Sequence, residues 1–144
     1  MLHDQDLNRK CPCGSSKPFS FCCEPAIEGY KPADTAEALM RSRYTAFALG
    51  QVDYLINTTA VSHRNPDDAD VLLEQMRATT WTGLTIHETD QGLASDSQGI
   101  VEFTANFESA GEAAALHERS NFRREEGYWV YVDGDVEIRP QSAG

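Results

Sequence analysis

The segment CPCGSSKPFSFCC, residues 11–23, contains all four cysteines of the 144-residue chain. Two cysteines one residue apart are followed, after eight residues, by two adjacent cysteines: Cys11, Cys13, Cys22 and Cys23. Four sulfurs in so short a segment favour a closed tetrahedral site, which Zn²⁺ forms with thiolates at about 2.3 Å. Pro12 and Gly14 favour irregular backbone between the ligands. The sequence therefore predicts one structural Zn²⁺ per chain, held by all four cysteines.

Disulfide bonds are the alternative use of clustered cysteines. A bridge within either close pair would close a strained ring, so only the two cross-pairings are sterically reasonable. Residues 1–10 lack the apolar run of a secretory signal, so we expect a cytoplasmic protein with reduced thiols. An iron–sulfur cluster is less favoured than Zn²⁺, because all four ligands are local. We expect Arg9, Lys10 and Lys17 to offset the excess negative charge of four bound thiolates.

The cysteine spacing resembles the SEC-C motif of the C-terminal tail of the translocation motor SecA. That motif has two cysteines one residue apart, followed eight residues later by a Cys-Cys or Cys-His pair. Gly14, Ser15 and Lys17 match its other positions, whereas Ser16 stands where the motif usually has glycine. In SecA-like tails this zinc-held knuckle binds proteins. The resemblance therefore implies a protein partner that docks on the knuckle.

Length and charge set the broad class of the molecule. A chain of 144 residues suits one compact domain with a small appendage, and we place the knuckle at 1–30 and the domain at 31–144. The formal net charge of −11 would repel phosphate backbones, so general nucleic-acid binding is not expected. A membrane span is not expected either, because no apolar run approaches the roughly 20 residues that a transmembrane helix needs.

Three helices are predicted between the knuckle and Trp81. Residues 24–33 contain two prolines and a glycine and are predicted to be a connector. The first helix should begin after Asp34 as N-cap and end at Gly50, with one apolar stripe: Ala36, Leu39, Met40, Tyr44 and Phe47. Arg43 lies on the same stripe. A short second helix is predicted at 51–58, and a third at 66–79 with Asn65 as its cap.

From Trp81 onward the apolar residues alternate, which indicates strands at 81–89, 100–107, 114–124 and 128–132. Helices followed by consecutive strands predict an α+β domain with its helices on one face of a curved antiparallel sheet. Alternation places Glu118 on the inner face of the third strand, with Leu116, and His117 on the outer face. His87 and Glu102 are likewise expected to point outward.

The order of elements resembles the cone-shaped nuclear transport factor 2-like fold. The segments TAEALMRSRYTAF at 35–47 and LHERSNFRREEGYWVYVDGD at 116–135 also resemble two signature segments of the bacterial YchJ-like family. That family joins a SEC-C knuckle to such a domain and has no established activity. Cone folds often dimerise through the exposed face of the sheet, so the resemblance makes a homodimer an expectation here.

Two function classes follow from these patterns. We favour a non-catalytic, zinc-binding protein-interaction module in which Phe19 and Phe21 either pack beneath the metal or serve as exposed anchors. The alternative is a small-molecule pocket or an enzyme of the cone fold, in which Arg43 and Glu118 meet inside the cone. Their meeting would also suit a purely structural ion pair. No side-chain arrangement typical of a catalytic triad stands out, so no catalytic residue is assigned.

Overall fold

The structure is a computed structural model that describes residues 9–140. These residues form four α-helices: α1 at Glu24–Glu28, α2 at Ala36–Leu49, α3 at Val52–Asn57 and α4 at Asp68–Ala78. Two 3-10 turns lie at Phe19–Phe21 and Val61–His63. Four strands follow, β1 to β4, at Thr80–Gln91, Gln98–Ser109, Glu112–Glu125 and Tyr128–Pro140. They form one antiparallel sheet in the order β1-β2-β3-β4. The predicted α+β architecture is confirmed.

The long helix α2 lies between two other layers. Thr35 caps it by accepting a 3.0 Å hydrogen bond from the Ala38 amide, one residue after the predicted cap, and Gly50 ends it at a φ of 78°. Its predicted apolar stripe packs on the sheet, where Val101, Phe103 and Ala105 are buried. Thr45, on another side of the helix, is buried as well, because it packs against the sulfurs of the cysteine segment.

The sequence prediction is wrong for one whole helix and for the start of another. Residues 24–28 form α1 rather than connector: Pro25 sits in the first turn, where a missing amide costs nothing, and Gly29 ends the helix in the left-handed conformation. Helix α4 begins at Asp68, two residues after the predicted start at Pro66. The Asp68 carboxylate there accepts a 2.8 Å hydrogen bond from the amide of Asn65.

Strand β4 is much longer than predicted. It continues past Val132 to Pro140, and its second half pairs with the first half of β3. Val136 and Ile138 lie opposite Glu118 and Leu116, yet they are 53% and 61% exposed. Asp133, Gly134 and Asp135 are residue types common in turns, which hides the continuation of the strand in the sequence.

The outer face of the sheet carries a connected row of polar side chains. His87 Nε2 lies 2.7 Å from Thr104 Oγ1, and His117 Nε2 lies 3.0 Å from a Glu102 oxygen. Arg119 donates to Glu102 at 2.9 Å and, together with His117, lowers the pKa of that carboxyl. The outward orientation of His87, Glu102 and His117 is as expected. Association of two copies through this face stays a prediction.

No helix within residues 9–140 is long and apolar enough to cross a membrane.

The turn between β1 and β2 touches the start of α2. The Ala36 amide donates to the Gly92 carbonyl at 2.9 Å, and a Cβ on Gly92 would lie 2.7 Å from the Ala36 Cβ. We expect Gly92→Ala to lower the free energy of unfolding by at least ~1 kcal/mol more than Gly111→Ala. Gly111 has a similar φ of +80° but open space around it. Equal losses in urea denaturation would mean that this contact contributes nothing.

Candidate metal centre

The four cysteine sulfurs lie within 4.8 Å of one another. Cys13 and Cys22 Sγ atoms are 3.6 Å apart, and those of Cys22 and Cys23 are 3.9 Å apart. A tetrahedron with zinc–sulfur bonds of about 2.3 Å has edges of about 3.8 Å. All four cysteines are free thiols, and three of them are buried. The set could therefore hold a metal ion, and its dimensions fit a four-coordinate thiophilic one.

The thiols strongly influence one another's protonation. Hydrogen bonds from Cys11 and Cys23 lower the pKa of Cys13, whereas the hydrogen bond with Cys11 is the main cause of a raised pKa at Cys23. Burial raises the pKa of Cys22 to about 11. Hydrogen bonds among the sulfurs thus favour a thiolate at Cys13 and a protonated thiol at Cys23. Four thiolates in so small a space would need a cation among them.

Two residues with positive φ shape the loop between the cysteine pairs. Gly14 has a φ of 81°, and a Cβ there would approach the Leu84 carbonyl oxygen to 3.4 Å, so the loop lies against β1. Ser16 has a φ of 70°, which costs a non-glycine residue roughly 1–2 kcal/mol. Glycine would adopt this left-handed conformation without that cost.

Hydroxyl groups contact three of the four sulfurs. Thr45 Oγ1, on α2, donates to Cys23 Sγ at 3.4 Å and lies 3.6 Å from Cys11 Sγ. Ser15 Oγ lies 3.1 Å from Cys22 Sγ and accepts from the Lys17 amide. Outer groups of this kind fix the orientation of metal ligands and adjust their affinity. The domain thus supports the cluster directly through Thr45.

Arg41 supplies the positive charge nearest to the cluster. Its Nη1 donates to the Cys13 carbonyl oxygen at 2.9 Å and lies 3.9 Å from Cys13 Sγ. Burial opposes its charge, but the bonds to Glu37 and Cys13 outweigh burial and raise its pKa. The prediction that Arg9, Lys10 and Lys17 offset the thiolates is therefore incomplete.

The three predicted cations lie at the surface. Lys10 and Lys17 are exposed, and the Arg9 guanidinium lies over the Phe19 ring at 5.2 Å. The sequence analysis missed both Arg41 and Thr45. The two residues are four apart in α2 and therefore lie on the same side of the helix, away from its apolar stripe. This spacing was the signal that could have identified them as neighbours of the cysteines.

The cysteine segment and the domain share one hydrophobic core. The continuous cluster of buried residues includes three cysteines and Phe19 together with Ala36, Leu39 and Met40 of α2. Phe19 is thus a core residue, whereas Phe21 is 80% exposed. The predicted boundary after residue 30 stays a prediction, but the packing is continuous across it.

Arg43 and Glu118 line one cavity of about 150 Å³ but do not form the predicted ion pair among the described residues. Tyr131 stands between them: its ring lies 4.9 Å from the Arg43 guanidinium, and its hydroxyl donates to Glu118 at 2.6 Å. Arg43 instead donates to the Leu55 carbonyl oxygen and to Thr58 Oγ1, each at 2.8 Å. Leu55 within α3 and Thr58 at its C-terminal end supply these acceptors, which hold the Arg43 guanidinium without a direct bond to Glu118.

Comparison with known proteins agrees with this architecture. The family described as "YchJ, middle NTF2-like domain" matches residues 35–134. A UPF0225 protein of Geobacter sulfurreducens is 41% identical over 137 residues, which cover 95% of this chain and 84% of that protein.

Two solved structures of SEC-C motif containing proteins are also similar. The solution structure of one from Rhodopseudomonas palustris has a TM-score of 0.80 and 37% identity, over 88% of this chain and 97% of that one. The crystal structure of one from Psychrobacter arcticus has a TM-score of 0.72 and 27% identity, over 94% of this chain and 87% of that one. The chain therefore belongs to the YchJ-like family, with a SEC-C-type cysteine cluster packed on a nuclear transport factor 2-like domain.

Proposed function

We propose that this protein binds one structural Zn²⁺ and uses the knuckle that the metal stabilises to dock a protein partner, without catalysis. The four sulfurs would complete a tetrahedral shell by themselves. Such a shell has no open position for a water or substrate, which a catalytic zinc requires. The metal would then stabilise structure, and function would lie in the surface around it.

The observation that carries the docking proposal is the contrast between two phenylalanines in one 3-10 turn. Phe19 is 9% exposed and belongs to the core, whereas Phe21, two residues later, is 80% exposed. Cys22 follows immediately, so a bound metal would hold the backbone that presents Phe21. Exposed aromatic side chains on rigid backbone are typical anchors of protein interfaces.

A groove beside Phe21 gives a partner room to bind. It has a volume of about 470 Å³, runs between the knuckle and the first turns of α2, and is lined by Ser15, Lys17, Phe21, Thr35, Glu37 and Arg41, among others. We call it the knuckle groove. A partner segment in this groove would place an apolar side chain against Phe21. Removing the metal would disturb the groove, because Cys22 and Cys23 form part of its wall.

Metal content tests the first half of the proposal. We expect protein purified without a histidine tag to carry about one zinc per chain by elemental analysis. Thr45→Val should keep that stoichiometry but bind Zn²⁺ ~10-fold more weakly in competition with a chromophoric chelator, because two sulfurs lose their hydroxyl contact. Thr85→Val, on exposed β1 surface, is the matched control and should leave the affinity unchanged. Protein without zinc, or equal affinities in both variants, would contradict this account.

Site-specific photo-crosslinking tests the second half. A photoreactive phenylalanine analogue at Phe21 should crosslink to one protein in living cells, since the side chain is accessible and lies at the knuckle groove. The same analogue at Ile138, which is 61% exposed on β4, is the control and should not give that product. A Cys22→Ala background should abolish the product. Identical crosslinks from both positions, or none from Phe21, would refute docking at the knuckle.

A further inference from the structure

A second site lies on the other side of α2, in the cavity that Arg43 and Glu118 line. Its walls are mainly apolar and aromatic: Met40, Tyr44, Phe47, Trp81, Phe103 and Leu116. A cavity of 150 Å³ is large enough for a benzene-sized molecule. The strand residues opposite Glu118 and Leu116 are Val136 and Ile138, which are apolar and exposed, so the sheet beside these two cavity residues presents an apolar surface.

Glu118 contributes a carboxylate to the wall of this cavity, which Arg43, Ser120 and Tyr131 also line. Glu118 is 8% exposed, and its Oε2 accepts hydrogen bonds from Ser120 Oγ at 2.7 Å and from the Tyr131 hydroxyl at 2.6 Å. Gly134 packs beneath it, at a position where any Cβ would collide with the carboxylate. These contacts fix the carboxylate in one orientation. Both hydrogen bonds use Oε2, so Oε1 has no such partner among the described residues.

The charges around the cavity cancel. Burial lowers the pKa of Arg43 to about 10, so the guanidinium remains positive at neutral pH. It lies over the Tyr131 ring and donates hydrogen bonds to the Leu55 carbonyl oxygen and to Thr58 Oγ1. With one positive and one negative group in the wall, a charged ligand would leave an uncompensated charge in an apolar space. The cavity thus favours a neutral occupant.

We propose that this cavity binds a small neutral molecule with an apolar body of about six non-hydrogen atoms and one hydroxyl or amide donor, which bonds to Glu118 Oε1. The apolar body fills the space between the aromatic walls. The donor bonds to Oε1, the carboxylate oxygen that Ser120 and Tyr131 do not use. The site is separate from the knuckle groove and needs no metal.

A purely structural role for Glu118 gives a different expectation. If Tyr131 and Ser120 served only to satisfy a buried charge, ligands with and without a donor would bind equally well. Size-matched phenol and toluene separate these two cases, because they share a ring and differ in the hydroxyl. Glu118→Gln keeps the shape and an oxygen for Ser120 and Tyr131, but turns an amide NH₂ toward the cavity.

The experiment titrates the wild-type protein and Glu118→Gln with phenol and with toluene, and follows backbone amide chemical shifts by NMR. Both ligands should shift the amides of Phe103, Ala105 and Leu116. Glu118→Gln should lower the ratio of phenol affinity to toluene affinity about tenfold, because phenol loses its acceptor at Glu118. The hydrophobic contribution cancels in this ratio, since both ligands share the ring. Absence of shifts at these amides, or the same ratio in both proteins, would overturn the proposal.

A cavity-filling variant protects this test against misfolding of Glu118→Gln. Ala105→Leu extends a side chain into the cavity and should abolish the shifts from both ligands while retaining a dispersed spectrum. Undiminished binding in Ala105→Leu would place the ligand elsewhere and overturn the proposal as well.

Discussion

The contact between the cysteine cluster and α2 supports the rest of the structure. Thr45 reaches two sulfurs and Arg41 reaches Cys13, so a single helix supplies both a hydroxyl and a positive charge to the cluster. The sulfurs in turn cover polar side chains of α2 that would otherwise face water. Neither part is complete without the other, because burial of Thr45 depends on the knuckle and orientation of the thiols depends on α2.

This arrangement makes α2 a divider between two surfaces with different chemistry. On one side, the knuckle groove is open, mixed in charge and dominated by the exposed Phe21. On the other, the cavity beneath the sheet is apolar and holds one fixed carboxylate. A metal-dependent protein contact and a metal-independent small ligand could therefore coexist on one chain. The two surfaces are connected through α2 and also through β1, against which the loop at Gly14 lies.

The parts of the fold that follow from sequence are those with a regular pattern. The stripe on α2, the alternation of Val101, Phe103 and Ala105, and the cysteine spacing each predicted the observed element or cluster. The sequence predictions fail where tertiary contacts, and not a regular pattern of apolar residues, determine the structure. Residues 24–28 were predicted to be irregular because Pro25 and Gly29 look like breaks, whereas here Pro25 lies in the first helical turn and Gly29 is the C-cap. The extension of β4 was missed because it begins with residue types common in turns.

Only the cysteine ligands of the candidate metal centre could be predicted from the sequence. Cysteine spacing identified the ligands, but Thr45 and Arg41 became visible only once the knuckle was folded against α2. Similarly, alternation placed Glu118 inside correctly, yet it could not show that Tyr131 would separate it from Arg43. Packing between different elements, 13 or more residues apart in the chain, decides such contacts, and a local pattern carries no information about it.

Hydrogen exchange with and without a metal chelator tests the shared core most directly. If the sulfur cluster and α2 form one unit, chelation should speed amide exchange along α2 around Thr45 as well as in residues 11–28, while the outer half of β4 remains unchanged. Faster exchange confined to residues 11–28, with α2 as protected as before, would contradict the account and make the knuckle an independent appendage.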